Sequence, residues 1–427
     1  MTVRTSPIAK QARDIRRLEA AWAVIRRNGL RSQSKTTRDE VEEFAGVAGT
    51  GLRRIQTQLR SGKFQFPPAL GIPIDRGPAK SRRPIVKSPL PSRIAQRSIH
   101  DCLLRIPAIH SLVENPNSFG GVTKRDEDGR ASVPAAISET IKEIEEGATY
   151  YVRSDIASFF SFIPKPTVLD IIYSHVPDSG SQTLVQKAVN VELHNMAKLR
   201  KQGFDALFPI EEIGVAQGNC LSPLLGNILL SSFDAEMSKG DFRCLRYIDD
   251  FLILGPDKSA VRNRFFEAVE YLKRFGMTAY DPQVDKTKAD QGEISGGFDF
   301  LGVNLKRGLI KPAKKSRRRL IRRIGEILED SIEAISNSKC GAISPKFGLV
   351  RTLTVVSGML KGWAEQYSYC NERNVFQTLD REIDKKLAAY IGRYGALRTA
   401  STDLDEQRRM LGVSLLADVN AEMLQWK

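Results

Sequence analysis

Apolar residues recur at helical spacing near the start of the chain. Leu18, Ala21, Trp22 and Ile25 fall on one face among arginines, and a second amphipathic stretch surrounds Val41 to Leu59. From Phe64 to Val86 the pattern changes to Pro, Gly and Arg. Within it "FQFPPALGIPI" and "AKSRRPIV" read as extended segments joined by a basic loop. A helix is predicted from about Pro91 to Arg105.

"TYYVRSDIASFF" is a predicted strand, rich in aromatic and β-branched residues, that ends on Asp155. "LSPLLGNILLSSFDAEM" is a helix whose start is marked by Ser222 and Pro223. "RCLRYIDDFLILG" places two apolar runs around an Asp-Asp pair, the pattern of a tight hairpin. An amphipathic helix over "AVRNRFFEAVEYLKRFG" comes next, then a short strand at "MTAYD" and a further β segment at "GFDFLGVNL". Strand, helix, hairpin, helix, strand is the order of a ferredoxin-like β-α-β-β-α-β sheet, with helices on one face and the other free for a ligand. The remainder reads as helical. Leu353, Leu360, Trp363, Phe376, Leu379, Ile383 and Leu387 are its predicted core. No internal repeat and no long low-complexity segment is visible.

Composition narrows the partners. Among 427 residues, 65 basic against 50 acidic side chains leave a net charge of +15, which favours a polyanion, because each Lys or Arg set on a phosphate releases counterions. Nucleic acid is the expected partner and a membrane is not, since no apolar run approaches the roughly 20 residues needed to span one. Cys102, Cys220, Cys244, Cys340 and Cys370 form no CxxC pair, and the four histidines have no zinc-site spacing. The N-terminus is polar and basic with no apolar signal region, so a cytoplasmic protein with reduced thiols is expected.

The candidate chemistry lies in carboxylates far apart in sequence: Asp155 at a strand end, Asp249 and Asp250 at a hairpin tip. In the predicted sheet these elements are neighbours, so the carboxylates converge. Two unit charges about 4 Å apart repel by about 4 kcal/mol at a typical effective dielectric, so such a cluster is tolerable mainly with cations between the oxygens. Mg²⁺ suits hard carboxylate ligands completed by substrate phosphates. Two Mg²⁺ ions, or Mn²⁺ in their place, would serve nucleotidyl transfer by activating a primer 3′-hydroxyl and holding a triphosphate and its leaving pyrophosphate. Taken alone, an Asp-Asp pair is more often an ordinary turn.

The surrounding residues reverse that judgement. Tyr247-Ile248-Asp249-Asp250 resembles the Y-x-D-D signature of reverse transcriptases, and "VAQGNCLSPLLGNILL" resembles the Q-G-x-x-L-S-P-x-L-x-N motif that precedes it. "SDIASFF" resembles the upstream aspartate motif, Phe298 to Gly302 the primer-grip hairpin, and Asp285 to Thr287 the lysine motif, all in the family's order. The resemblance is closest to bacterial enzymes around the group II intron lineage and covers roughly residues 18 to 395. The fingers stretch from Gly71 to Leu104 and the thumb stretch "LKGWAEQYSYCNERNVFQTLDREI" match, as does "NSFGG", where Gly121 replaces the usual Phe.

The resemblance implies an α+β right-hand polymerase with fingers, a ferredoxin-like palm and a helical thumb. The expected domains are an N-terminal helical extension at 1–62, fingers at 63–149, a palm at 150–305 and a maturase-like thumb at 306–427. Implied metal ligands are Asp155, Asp249, the carbonyl of Ile156 and, more peripherally, Asp250. Phe160 matches the steric gate against a ribose 2′-hydroxyl, with a plain core Phe as the alternative. Lys80 and Arg83 match the positions that neutralise the triphosphate, although Arg82 and Lys87 compete for that role. Gln217 would touch the nucleotide or templating base, with Gly218 allowing close backbone approach. Lys286 is the candidate general acid for pyrophosphate, with Lys288 as its alternative. Phe300, Leu301, Gly302, Lys314, Arg317, Arg318 and Trp363 are expected to contact nucleic acid, although a basic run such as Lys311 to Arg323 is often only a solvated face.

Ile248 stands where group II proteins commonly carry Ala, which bears on nucleotide selection. No HNH-type endonuclease follows the thumb, which reads against a mobile intron protein. The resemblance therefore points to the type 2 group of defence-associated enzymes. It implies dNTP substrates, a cDNA product and a structured non-coding RNA as template in anti-phage immunity. The alternative is a group II intron-type maturase, an RNA-binding splicing cofactor.

Overall fold

The computed structural model describes residues 7–77, 82–122, 132–208, 212–337 and 343–416. The chain divides into two compact units, Met1–Glu293 and Ile294–Lys427.

The first unit opens with the short helix Ile8–Ala12, followed by the helices Ile15–Leu30, Lys35–Gly46 and Ala48–Arg60, whose apolar faces form one cluster around Leu18, Trp22, Val41, Leu52 and Ile55. Strands β1 (Leu70–Ile74) and β2 (Arg83–Lys87) then form an antiparallel hairpin. The helix Leu90–Leu103 succeeds it, as the apolar spacing predicts.

The central sheet comprises β3 (Tyr150–Asp155), β4 (Arg243–Tyr247), β5 (Asp250–Gly255) and β6 (Asp290–Glu293), in spatial order β4-β5-β3-β6 and antiparallel throughout. That order is the ferredoxin-like one. The helix Leu221–Met237 is apolar around most of its circumference and buries twelve of its 17 residues, as a helix inside a core must. It joins β3, β4, β5 and the helix Lys258–Lys273 in the largest apolar cluster of the unit.

Two details differ from the sequence expectation. "MTAYD" forms no strand: only the isolated bridge Ile156↔Ala279 occurs there, and Asp290–Glu293 completes the sheet instead. Its sequence, Asp-Gln-Gly-Glu, carries no β-branched or aromatic residue, because it is an edge strand held by backbone pairing and by the Tyr151 hydroxyl donating to Asp290 at 2.8 Å.

"GFDFLGVNL" belongs to the second unit, in a separate sheet of β7 (Phe298–Phe300), β8 (Val303–Lys306) and β9 (Leu309–Pro312). Three long helices, Lys314–Ser336, Leu349–Gln366 and Arg373–Ala400, pack around Leu320, Ile324, Leu328, Leu379, Ile383 and Tyr390. The "GWAEQY" stretch is therefore not continuous with the helix Arg373–Ala400. The chain turns after Gln366, and Asn371 ties that turn to the sheet by donating to the Gly308 carbonyl and accepting from the Ile310 amide. Among the described residues no helix is long and apolar enough to cross a membrane.

Candidate active site

The register of the central sheet decides which carboxylates meet. β3 pairs with β5 so that Asp155 lies opposite Asp250, and the Ile156 amide donates to the Asp249 carbonyl at 2.8 Å. Tyr247 lies opposite Asp250 in the β4–β5 pair, which leaves Ile248 and Asp249 as a two-residue turn. Ile248 has φ +63° while Asp249 stays outside the positive-φ region. A positive φ at the first turn position alone is the pattern of a II′ turn, where glycine is the usual residue. A β-branched side chain in that conformation is strained.

The Asp155 and Asp249 carboxyls are close enough for the charge of one to act on the other. Burial and the charge of Asp155 push the Asp249 carboxyl up to about 6. Asp250 stands back from this pair. Burial, opposed by the nearby Arg153 guanidinium, pushes it up to about 7. Its Oδ1 is buried with no hydrogen-bond partner, 3.8 Å from Arg153 Nη1. Lys288 Nζ donates to Asp155 Oδ2 at 2.5 Å. Burial alone would lower this ammonium, but the contact with Asp155 outweighs it and holds it above its ordinary range.

Among the described residues no group of three or more acidic, Cys or His side chains is assembled as a metal site. The convergent donors are two, Asp155 and Asp249, beside the Ile156 backbone. Two adjacent half-buried carboxyls are hard oxygen donors, and a divalent cation between them would offset the burial and the Asp155 charge that raise Asp249, so this pair fits Mg²⁺.

A cavity of about 360 Å³ is lined by Phe160, Gln217, Gly218, Ile248 and Arg83. The two neighbouring phenylalanines of the helix Phe159–Phe162 have opposite fates. Phe159 is buried, with its ring so close to Gly226 that a Cβ there would come within 2.7 Å. Phe160 is half-buried, packed against the same core on one side and lining the cavity on the other.

Arg83 Nε donates to Gln217 Oε1 at 3.2 Å, and the Val86 amide donates to the Gln217 carbonyl at 2.7 Å. Gly218 comes next at φ +118°, where a Cβ would meet the Val86 carbonyl at 2.7 Å. Glycine is required there for space and for backbone conformation alike.

Of the other expected residues, Lys286 is exposed, and Lys288 is the lysine whose ammonium reaches Asp155. Arg82 pairs with Asp75 and stacks on Phe204, and Lys87 pairs with Glu40. Lys80 lies outside the described residues.

In the second unit Phe300 is buried and Leu301 and Gly302, both at positive φ, form the tip of the β7–β8 hairpin. Lys314 and Arg318 are exposed and Arg317 is half-buried on the next helix. Trp363 packs on Tyr367 and Phe376, with ring centroids 4.6 and 5.9 Å away, beside a cavity of about 350 Å³.

Two features escape sequence reasoning. The helix Ile15–Leu30 contributes Val24, Ile25 and Asn28 to the cavity wall, joined by Arg93 and Arg97. Arg246, beside the signature Tyr, is fully buried. Its position between Leu245 and Tyr247, in the buried part of the strand, is the signal that could have marked it.

The family described as reverse transcriptase (RNA-dependent DNA polymerase) matches residues 74–305, more than half of the chain. The chain belongs to that family. Reverse transcriptases generally use divalent metal ions.

Curated relatives are distant. An uncharacterized 91 kDa protein in a cob intron of Schizosaccharomyces pombe is 26% identical over 201 residues, 46% of this chain and 22% of that protein. Protein YkfC of Escherichia coli is 26% identical over 187 residues, 43% of this chain and 44% of that protein. The matched region thus spans less than half the length of either relative. Among solved structures, apo telomerase from Candida tropicalis has a TM-score of 0.40 at 13% identity, covering 78% of this chain and 63% of that one. A Cas6-RT-Cas1–Cas2 complex has a TM-score of 0.38 at 12% identity, covering 90% and 50%.

Proposed function

We propose that the chain is an RNA-directed DNA polymerase that makes cDNA by two-metal-ion nucleotidyl transfer. The observation that carries this reading is the meeting of the Asp155 and Asp249 carboxyls beside a cavity walled by Phe160, Arg83, Gln217 and Gly218. Asp155, Asp249 and the Ile156 carbonyl would hold the ions, with Asp250 as a more peripheral ligand. When bound, the ions supply activation of the primer 3′-hydroxyl and charge neutralisation at the triphosphate and departing pyrophosphate.

The chain's own groups do the rest. Phe160 presents its ring to the cavity and excludes a ribose 2′-hydroxyl. Arg83, oriented by Gln217, supplies positive charge to the triphosphate, and Lys80, three positions earlier in the sequence, is the second residue proposed for that role. Gly218 keeps the strap at Gln217 pressed onto β2, which fixes one wall of the nucleotide site. Lys288, held protonated at Asp155, is the proton donor for pyrophosphate, with Lys286 as the alternative. The hairpin tip at Phe300 to Gly302 and the basic helix carrying Lys314, Arg317 and Arg318 track the template–primer backbone, with Trp363 on the same unit.

The net charge of +15 and the resemblance to intron-lineage enzymes support a dedicated structured non-coding RNA as template, in cytoplasmic anti-phage defence. A second reading, a maturase that assists intron splicing, is favoured by the likeness to a protein encoded in a cob intron. Primer extension on an RNA template with Mg²⁺ and dNTPs tests the polymerase. Sequencing the RNA and cDNA that co-purify with the chain separates defence from splicing, since a maturase carries intron RNA and no cDNA.

A further inference from the structure

The turn that carries Asp249 is strained, and something must hold it. Directly beneath it lies a charge network inside the apolar core. Arg246 and Asp234 are both 0% exposed. Arg246 Nε and Nη2 donate to the two Asp234 carboxylate oxygens at 2.7 and 2.6 Å. Its Nη1 donates to Asn227 Oδ1 at 3.0 Å and to the Ile248 carbonyl at 2.9 Å. That carbonyl belongs to the peptide joining Ile248 to Asp249.

The rest of the network anchors the fork. Asn115 Nδ2 donates to Asp234 Oδ2 at 2.8 Å, and Asn117 Nδ2 donates to the Asp234 carbonyl at 3.2 Å. The segment 117–120 runs along β4, with the Arg246 amide donating to the Asn117 carbonyl and the Phe119 amide to the Arg246 carbonyl. Asn227 Nδ2 donates to the Gly120 carbonyl at 2.9 Å. Gly120 lies against the turn so closely that a Cβ there would meet the Ile248 amide nitrogen at 2.5 Å.

A buried ion pair is rarely the most stable filling for a core, because desolvation opposes the Coulomb gain, and apolar residues of similar size often serve as well. This pair does something an apolar filling cannot. Arg246 is the only side-chain donor to the Ile248 carbonyl among the described residues, and it fixes the peptide that leads into Asp249. A planar fork with donors in three directions can bond Asp234, Asn227 and a backbone carbonyl together, which an ammonium cannot.

We infer that Arg246 is a positioning residue. Clamped by Asp234 and Asn227, it holds the Ile248–Asp249 turn in its strained conformation and so aims the Asp249 carboxylate at the divalent-ion site. The inference rests on the polymerase reading of that site.

The test is the double variant Arg246→Met/Asp234→Asn, which removes both charges together and leaves no buried ion unpaired. Expected are a cooperative melt, template–primer affinity and dNTP KM within about twofold of wild type, and kcat lower by about tenfold to a hundredfold. The Mg²⁺ concentration for half-maximal rate rises, and the Mg²⁺-induced gain in melting temperature shrinks. Wild-type values of kcat, Mg²⁺ dependence and melting shift overturn the positioning role.

Should the double variant lose its cooperative melt, Arg246→Lys gives the same readouts with a cation kept beside Asp234, and wild-type values there overturn the inference equally. Adding Ile248→Gly separates positioning from packing. Glycine adopts the positive φ without strain, so it restores part of the lost kcat, whereas a packing role predicts no recovery. A wild-type chain that extends no primer overturns the polymerase reading instead. The Mg²⁺-induced melting shift, which needs no turnover, still decides whether Arg246 aims the carboxylate.

Discussion

The Ile156 amide donates to the Asp249 carbonyl at 2.8 Å, so one backbone hydrogen bond couples the residue after the first aspartate to the second. Ninety-four positions of sequence separate Asp155 from Asp249, yet the two are brought together because β3 and β5 are antiparallel neighbours in the sheet, and the charge of Asp155 acts on Asp249. A half-buried like-charged pair opposes folding and favours a cation, and Lys288 already supplies one charge at Asp155.

The trade can be measured on stability. Asp249→Asn is expected to abolish primer extension while raising the melting temperature in metal-free buffer. Burial and Asp155 push the Asp249 carboxyl up to about 6, so its ionised form destabilises the folded state at higher pH. The gain in the variant is on the order of 1–3 kcal/mol at pH 8. It shrinks as the pH falls through 6 and vanishes near the unfolded carboxyl value. Thermal melts across that range check it, and a loss of stability at pH 8 would contradict it.

The adjacent rings offer a contrast. Phe159→Ala removes a fully packed ring and is expected to cost about 3–5 kcal/mol of stability. Phe160→Ala is expected to cost far less, and to raise ribonucleotide incorporation by about tenfold or more, the equivalent of 1.4 kcal/mol in the transition state. Denaturant melts and single-nucleotide competition between dNTP and rNTP separate the two.

Much of this is legible in the sequence. β3, the Leu221–Met237 helix and the β4–β5 hairpin each carry a strong local pattern, and their order alone brings Asp155 to Asp249. The features that escape lack a local pattern. β6 is four polar or flexible residues whose strand conformation comes from its neighbour. The choice of Lys288 over Lys286 at Asp155 depends on the path of a loop. The link from Arg246 to Asp234 joins a strand to a helix, and no periodicity reports it. The cavity wall supplied by Val24, Ile25 and Asn28 is likewise a tertiary fact, invisible in a helix that by itself reads only as amphipathic.

The two lysines yield a direct comparison. Lys288→Ala is expected to reduce kcat by about tenfold or more, within the range typical of acid–base groups, whereas Lys286→Ala leaves it within about twofold. Single-turnover extension rates decide. The reverse ranking would return the general-acid role to Lys286.

Gly218→Ala places a methyl 2.7 Å from the Val86 carbonyl at a backbone conformation that disfavours it. The strap must then lift from β2, and Gln217 with its bond to Arg83 moves with it. The expected result is a dNTP KM raised by about tenfold, a 1.4 kcal/mol weakening, with primer–template affinity unchanged. Steady-state extension and a filter-binding titration check the split.

The polymerase assignment turns on whether Asp155 and Asp249 hold divalent ions together, and Mn²⁺ binding followed by electron paramagnetic resonance asks this without requiring turnover. The wild-type chain is expected to bind Mn²⁺, competed by Mg²⁺, and Asp155→Asn and Asp249→Asn are each expected to abolish the tight site while the chain stays folded. If either substitution alone leaves Mn²⁺ binding at its wild-type strength, the two carboxylates do not form a shared centre and the assignment fails.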